Sequence, residues 1–189
     1  MYCDVNIHDV SKSLSDQLGL NSTQNLDEAK VAIMDDASEY YRNIEKWNKW
    51  VKNGGKIVFL DLPIGSYEFE GKKVSIAPTF MGHYFFVSPR TSHPLTKNNH
   101  PFDFFCWYDE KTGLIEPILT RTIQGEGWNA ILKTGIPGDN DGDKNYLAAA
   151  ELELENGKII INNLLLDNRV GMNPVARNYA YDLLFSKSK

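Results

Sequence analysis

Two apolar runs, Lys30-Val31-Ala32-Ile33-Met34 and Lys56-Ile57-Val58-Phe59-Leu60, joined by a stretch that ends at Gly54-Gly55, decide the fold class. Each run sets apolar residues in succession rather than in alternation, the pattern of a strand covered on both faces, and Asp35-Asp36 stops the first. Between them Tyr40, Ile44, Trp47 and Val51 recur at i, i+4, i+7 and i+11, one stripe of a period-3.6 helix that leaves Arg42, Glu45, Lys46 and Lys49 to solvent. Asp36 stands where it can cap that helix, and Glu39, three residues on, where it can reach back in a capping box. Gly54-Gly55 then closes the helix, since glycine tolerates the left-handed conformation. Strand, helix and strand in about 30 residues form a βαβ unit with a right-handed crossover, so the chain reads as α/β with a mainly parallel sheet.

The flanks extend the rhythm. Val10, Leu14 and Leu18 lay one apolar stripe on a short helix ending near Gly19. About residues 66–123 the pattern changes to a β-ribbon: Tyr67 and Phe69 alternate with polar residues, Glu70-Gly71-Lys72 turns, and Val74 and Ile76 alternate back. Residues 104–108 and 114–119 flank a second turn, and Pro117, lacking an amide donor, marks an edge or a bulge. After a Gly/Asp-rich loop at 135–144, residues 147–154 and Glu155-Asn156-Gly157 read as strand and turn, and Lys158-Ile159-Ile160-Ile161 as a third buried strand. Asn173 is expected to cap a closing helix with Pro174 at its first position, packed inward along Val175, Ala176, Tyr179, Ala180, Leu183 and Leu184.

Composition bounds the function. The 189 residues, 42% hydrophobic and 24% charged, suit a single globular domain. With 20 Lys plus Arg against 25 Asp plus Glu the net charge is −5, and no basic cluster larger than Lys72-Lys73 is present, so no nucleic-acid partner is expected. The apolar runs at 57–60 and 159–166 are far shorter than a spanning helix, so no membrane insertion is expected. Met1-Tyr2-Cys3-Asp4 opens without a basic or apolar leader segment, and no signal peptide is read there. Cys3 and Cys106 pair or stay free; their spacing matches no zinc or redox motif.

In α/β sheets ligands gather beyond the carboxyl ends of the strands, which directs attention to Asp35, Asp36, Asp61 and the stretch 162–169 with Arg169. Asp35-Asp36 suits a carboxylate pair, but helix capping accounts for it more simply. No G-x-S-x-G or G-x-C-x-G elbow occurs; Ser66 follows a glycine yet leads into a strand, and Cys106 sits in an aromatic run as a buried thiol would. His8, His83, His93 and His100 include no i, i+4 pair, so no metal site is expected, and no cofactor motif is read. Residues 139–143 are rich in Asp, but Lys144 stands where a calcium loop needs glycine. Trp107, Trp128, Tyr84 and Tyr108 are candidates for stacking on a sugar ring. Trp128 is singled out, because Gly125 and Gly127 suggest a turn that exposes it; burial in the core is the competing reading.

These segments carry a resemblance. Residues 26–36, the helix ending Trp50-Val51-Lys52-Asn53-Gly54-Gly55, and Ala148-Ala149-Ala150 leading into Glu155-Asn156-Gly157-Lys158-Ile159-Ile160-Ile161 resemble the class I glutamine amidotransferase-like domain of bacterial glycoside hydrolases. The chain is similar to the flavodoxin-like domain of beta-galactosidases, and residues 164–169 followed by Asn173-Pro174-Val175-Ala176-Arg177 look most like the end of family 2 enzymes. The resemblance covers about residues 10–185, least well in the ribbon. It implies a flavodoxin-like three-layer sandwich with a β-ribbon insertion at about 66–123, one domain over 1–189 that is a piece of a larger enzyme. Where true amidotransferases carry their nucleophilic cysteine this chain has Pro63, and the partner His and Glu have no counterpart near 161–169. The resemblance therefore implies no catalytic residue here but an accessory domain serving packing, assembly or the substrate cleft, its partners the other domains of the glycosidase, carbohydrate, or a second copy of itself. A secreted parent would place it in the periplasm or outside the cell. A carbohydrate-binding module and a free-standing hydrolase or amidotransferase are the alternatives; the binding candidates are Asp35, Asp61, Trp128 and Arg169.

Overall fold

Apolar residues in succession need cover on both sides, and a single sheet supplies the frame on which the helices give it. The computed structural model describes residues 2–5, 10–23, 25–79, 87–135 and 146–186, with side chains from residue 14 onward. In chain order the elements are β1 (Tyr2–Val5), α1 (Val10–Leu18), β2 (Ser22–Thr23), β3 (Val31–Met34), α2 (Ser38–Arg42), α3 (Ile44–Lys52), β4 (Lys56–Leu60), β5 (Gly65–Phe69), β6 (Lys72–Pro78), β7 (Cys106–Asp109), β8 (Leu114–Pro117), β9 (Arg121–Gln124), β10 (Asn129–Lys133), β11 (Leu147–Leu154), β12 (Gly157–Asn162) and α4 (Pro174–Phe185). Ten strands form one sheet in the order β2-β1-β3-β4-β12-β11-β9-β6-β5, with β10 also on β11. The run from β2 to β12 is parallel and everything beyond β12 antiparallel, so the protein is mixed α/β.

Successive residues of β4 feed opposite cores. Val58 and Leu60 join Val31, Ile33 and Ile160 under Leu14 and Leu18 of α1 and Ala176, Tyr179, Ala180, Leu183 and Leu184 of α4. Ile57 and Phe59 join Ala32, Met34, Ile159 and Ile161 under Tyr40, Trp47 and Val51 of α2 and α3. The start of β12 lies hard against the end of α3: a Cβ on Gly157 would overlap the carbonyl oxygens of Val51 and Gly55.

Three expectations are corrected. The single helix over 36–52 is two, because Asn43 leaves helical geometry (φ −129°, ψ 41°) and its side-chain amide turns back onto Glu39 Oε1 at 2.7 Å. The break rotates Ile44 outward, 39% exposed, while Tyr40, Trp47 and Val51 stay buried. No capping box forms, since Glu39 is engaged by Arg42 at 2.9 Å and by Asn43; Asp36 Oδ1 instead accepts the Ser38 amide. Asn173 precedes α4 but does not cap it: Oδ1 accepts the Tyr108 amide (3.0 Å), and Nδ2 donates to the carbonyls of Tyr108 (2.8 Å) and Arg169 (2.6 Å). In the ribbon region β5–β6 extends the main sheet through β9, and β7–β8 forms a separate two-stranded sheet.

Candidate functional site

The carboxyl ends of β4 and β12 meet where the segment 61–64 leaves one strand and 163–169 the other. Asp61 takes a left-handed backbone (φ 51°) at the first of these exits, its amide donating to the Asn162 carbonyl at 2.8 Å. Its Oδ1 lies 2.8 Å from Arg121 Nη1, which also donates to the carbonyls of Asp61 (2.7 Å) and Leu62 (3.0 Å). The carboxylate contact is Coulombic rather than a shaped hydrogen bond, because Oδ1 has no hydrogen-bond partner among the described residues. Burial pushes the Asp61 carboxyl up to about 6, against the opposing pull of Arg121, with Asp167 adding a smaller push.

Arg169 is buried and committed. Its Nη2 lies 2.9 Å from Asp109 Oδ2 and 3.4 Å from Glu116 Oε2, and Nη1 donates to the Asp167 carbonyl at 3.3 Å. It therefore ties β7–β8 to the segment after β12. Asp35, at the end of β3, is buried. Asp61 thus follows β4 and Arg169 lies in the segment after β12, each held by its own partners, while Asp35 follows the neighbouring strand and Trp128 stands apart.

Trp128 requires a correction: the flanking turn does not expose it. It is 6% exposed and packs edge-on against Phe69 with ring centroids 5.9 Å apart, because β5–β6 folds over it. Cys106 is half-buried and unpaired, and burial pushes its thiol up. His8, His83, Tyr84 and the Asp-rich stretch 139–143 lie outside the described residues. Among the described residues no three His, Cys, Asp or Glu side chains are grouped to hold a metal ion, and no helix is long and apolar enough to cross a membrane.

Two concavities complete the picture. A pocket of about 680 Å³ at the amino end of β12 has Glu151 and Lys158 in its lining, both buried. Lys158 Nζ lies 2.8 Å from Glu151 Oε2, and His93 Nε2 3.1 Å from Oε1. His93 Nδ1 accepts the Leu95 amide (3.2 Å), which leaves the ring proton on Nε2, facing the carboxylate. Burial pushes Glu151 up, but His93 and Lys158 together hold it below the usual carboxylate range. Sequence reading passed over this cluster; the signal was a lysine opening each of the two buried strands, Lys56 and Lys158, which are register partners. The larger concavity, about 1290 Å³, is an open groove between β5–β6 and the turn at 124–127.

No protein-family model matches the chain, and no curated protein matches it in sequence. Solved structures do share its fold. A cytoplasmic protein from Salmonella typhimurium superposes with a TM-score of 0.53 at 10% identity, over 93% of this chain and 85% of that one. An exo-beta-1,4-mannosidase from Opitutaceae bacterium strain TAV5 gives 0.52 at 13% identity, over 95% of this chain and 31% of that one. A GH42 beta-galactosidase from G. stearothermophilus gives 0.51 at 12% identity, over 91% and 24%. The chain thus spans less than a third of either glycosidase, and at these identities the likeness is one of fold.

Proposed function

We propose that this chain is a non-catalytic accessory domain of a carbohydrate-active enzyme, with a flavodoxin-like, glutamine amidotransferase-like framework and the other domains of that enzyme as its partners. The observation that carries the reading is the exit from β4. There Asp61 is held by Arg121, Pro63 stands in the middle of the turn, and the Pro63 carbonyl accepts the Tyr67 hydroxyl at 2.7 Å. The polar groups of the turn are thus spent on holding its shape, whereas nucleophilic catalysis needs a hydroxyl or thiol presented there beside a base. The fold likeness to parts of two glycosidases supports the setting. A second reading, a free-standing protein, is favoured by the Salmonella protein, of which this fold covers 85%.

Two measurements test the proposal. The purified chain, assayed with nitrophenyl β-galactoside and β-mannoside, nitrophenyl acetate and L-glutamine, should show turnover no faster than buffer. Saturable turnover abolished by Asp61→Asn or Ser66→Ala overturns the non-catalytic role. The reading frame around the coding sequence should continue into a barrel domain; a frame that ends at both sides of this fold favours the free-standing protein.

A further inference from the structure

We infer that the groove between β5–β6 and the turn at 124–127 is a binding site for a neutral oligosaccharide. This goes beyond the accessory role and stands on the groove's own chemistry. At about 1290 Å³ the groove exceeds the roughly 300–1,000 Å³ of ordinary small-molecule sites, enough for several linked rings. Two tyrosines line it. Tyr41, 41% exposed, and Tyr67 each lie nearly parallel to the fully buried Phe69, at 17° and 15° with centroids 6.1 and 6.3 Å apart, so Phe69 backs the two tyrosine rings from the core. Both phenol groups are already anchored: the Tyr41 hydroxyl accepts the Glu68 amide at 2.9 Å, and the Tyr67 hydroxyl donates to the Pro63 carbonyl. The rings are thereby preorganised, and little rotamer freedom remains to be lost on binding. What they offer a ligand is ring surface, which suits the C–H face of a sugar.

The polar lining points to the charge of the ligand. Glu68, Lys72, Lys73 and Glu126 line the groove, two of each sign, and none forms an ion pair with another described residue. Four charged hydrogen-bonding groups with no net charge suit hydroxyls and give neither an anion nor a cation an advantage. The far wall is backbone: a Cβ on Gly125 would lie 2.8 Å from the Lys73 carbonyl oxygen, so the turn lies directly on the hairpin. The Tyr41 hydroxyl also occupies the outward-facing backbone of Glu68 on the edge strand β5, which disfavours an added peptide strand there.

The test is a titration of the ¹⁵N-labelled full chain with cellotetraose, mannotetraose, galactotetraose and xylotetraose, and with trigalacturonate as the anionic comparator. At least one neutral tetrasaccharide should give saturable shifts centred on Lys73, Gly125 and Gly127, at millimolar affinity or tighter. Tyr41→Ala should weaken that affinity at least tenfold and Tyr41→Phe less than threefold. Glu126→Gln, on an exposed turn where folding is not at risk, should weaken it about fivefold. No saturable shift with any neutral tetrasaccharide, shifts centred outside the groove, tighter binding of trigalacturonate, or unchanged affinity in both Tyr41→Ala and Glu126→Gln would overturn the inference. None of these outcomes touches the accessory role, which fails instead on turnover or on the reading frame.

Discussion

Asp61 combines a left-handed backbone, a half-buried carboxyl and an arginine neighbour, and desolvation wins. A carboxyl whose folded pKa of about 6 lies above its ordinary 3.8 holds its proton better in the folded state. Its stabilising contribution is therefore present below the lower value and lost as pH rises through the window from 3.8 to about 6. Urea unfolding from pH 4 to 8 should show a fall on the order of 2–3 kcal/mol in wild type that is missing in Asp61→Asn, asparagine being tolerated in left-handed geometry. Glu151 poses the opposite case, a buried carboxylate ionised between His93 and Lys158. Glu151→Ala leaves the Lys158 ammonium buried without a counter-ion and should cost about 3–5 kcal/mol in chemical denaturation. Glu151→Leu combined with Lys158→Met should recover most of that loss, as removing both charges of a buried pair generally does.

At the scale of elements, the best-specified interaction is one that no local pattern announces. A helix leaves its last carbonyls without partners. At the end of α4 they are taken by a side chain from β4: Lys56 Nζ donates to the carbonyls of Leu183 (3.3 Å), Leu184 (3.0 Å) and Ser186 (2.8 Å). Burial pulls its ammonium down to about 8, with Lys158 adding to the effect. Lys56→Met should destabilise the protein by about 1–3 kcal/mol and speed hydrogen exchange selectively at residues 183–186. The same lysine should make wild-type stability rise between about pH 8 and 10.5, where the unfolded chain binds more protons, and the variant should lack that rise. Sequence reading misplaced two asparagines: Asn43 breaks a helix that periodicity ran straight through, and Asn173 serves the distant β7 rather than the helix it precedes.

For the whole molecule, one sheet shared by two cores predicts that the two faces fail together. Ile57 and Ile160 lie on adjacent strands and face opposite cores. Ile57→Ala and Ile160→Ala should each cost about 2–5 kcal/mol while leaving the denaturant slope unchanged, with tryptophan fluorescence and far-UV circular dichroism reporting one coincident transition. Separate transitions for the two probes would show the faces to be independent.

The central βαβ unit, the hairpin turns at 70–71 and 155–156 and the inward face of α4 were legible in the chain, because each rests on contacts within a few residues or on an apolar period that water enforces locally. The short strands β9 and β10 were not, since Thr122-Ile123 and Ala130 to Leu132 become strands only by pairing with β6 and β11. Of the candidate residues, sequence placed Asp61 at a strand exit correctly, but nothing in Gln124-Gly125-Glu126-Gly127-Trp128 reveals that Phe69 will bury the indole and leave Tyr41 and Tyr67 as the ring surface of the groove. Local sequence determined the central strands and helices and which of their faces are apolar; tertiary structure decided the short paired strands, which charges meet and which aromatics stay wet, because strand pairing, burial and Coulombic pairing depend on neighbours that only the folded sheet brings within reach.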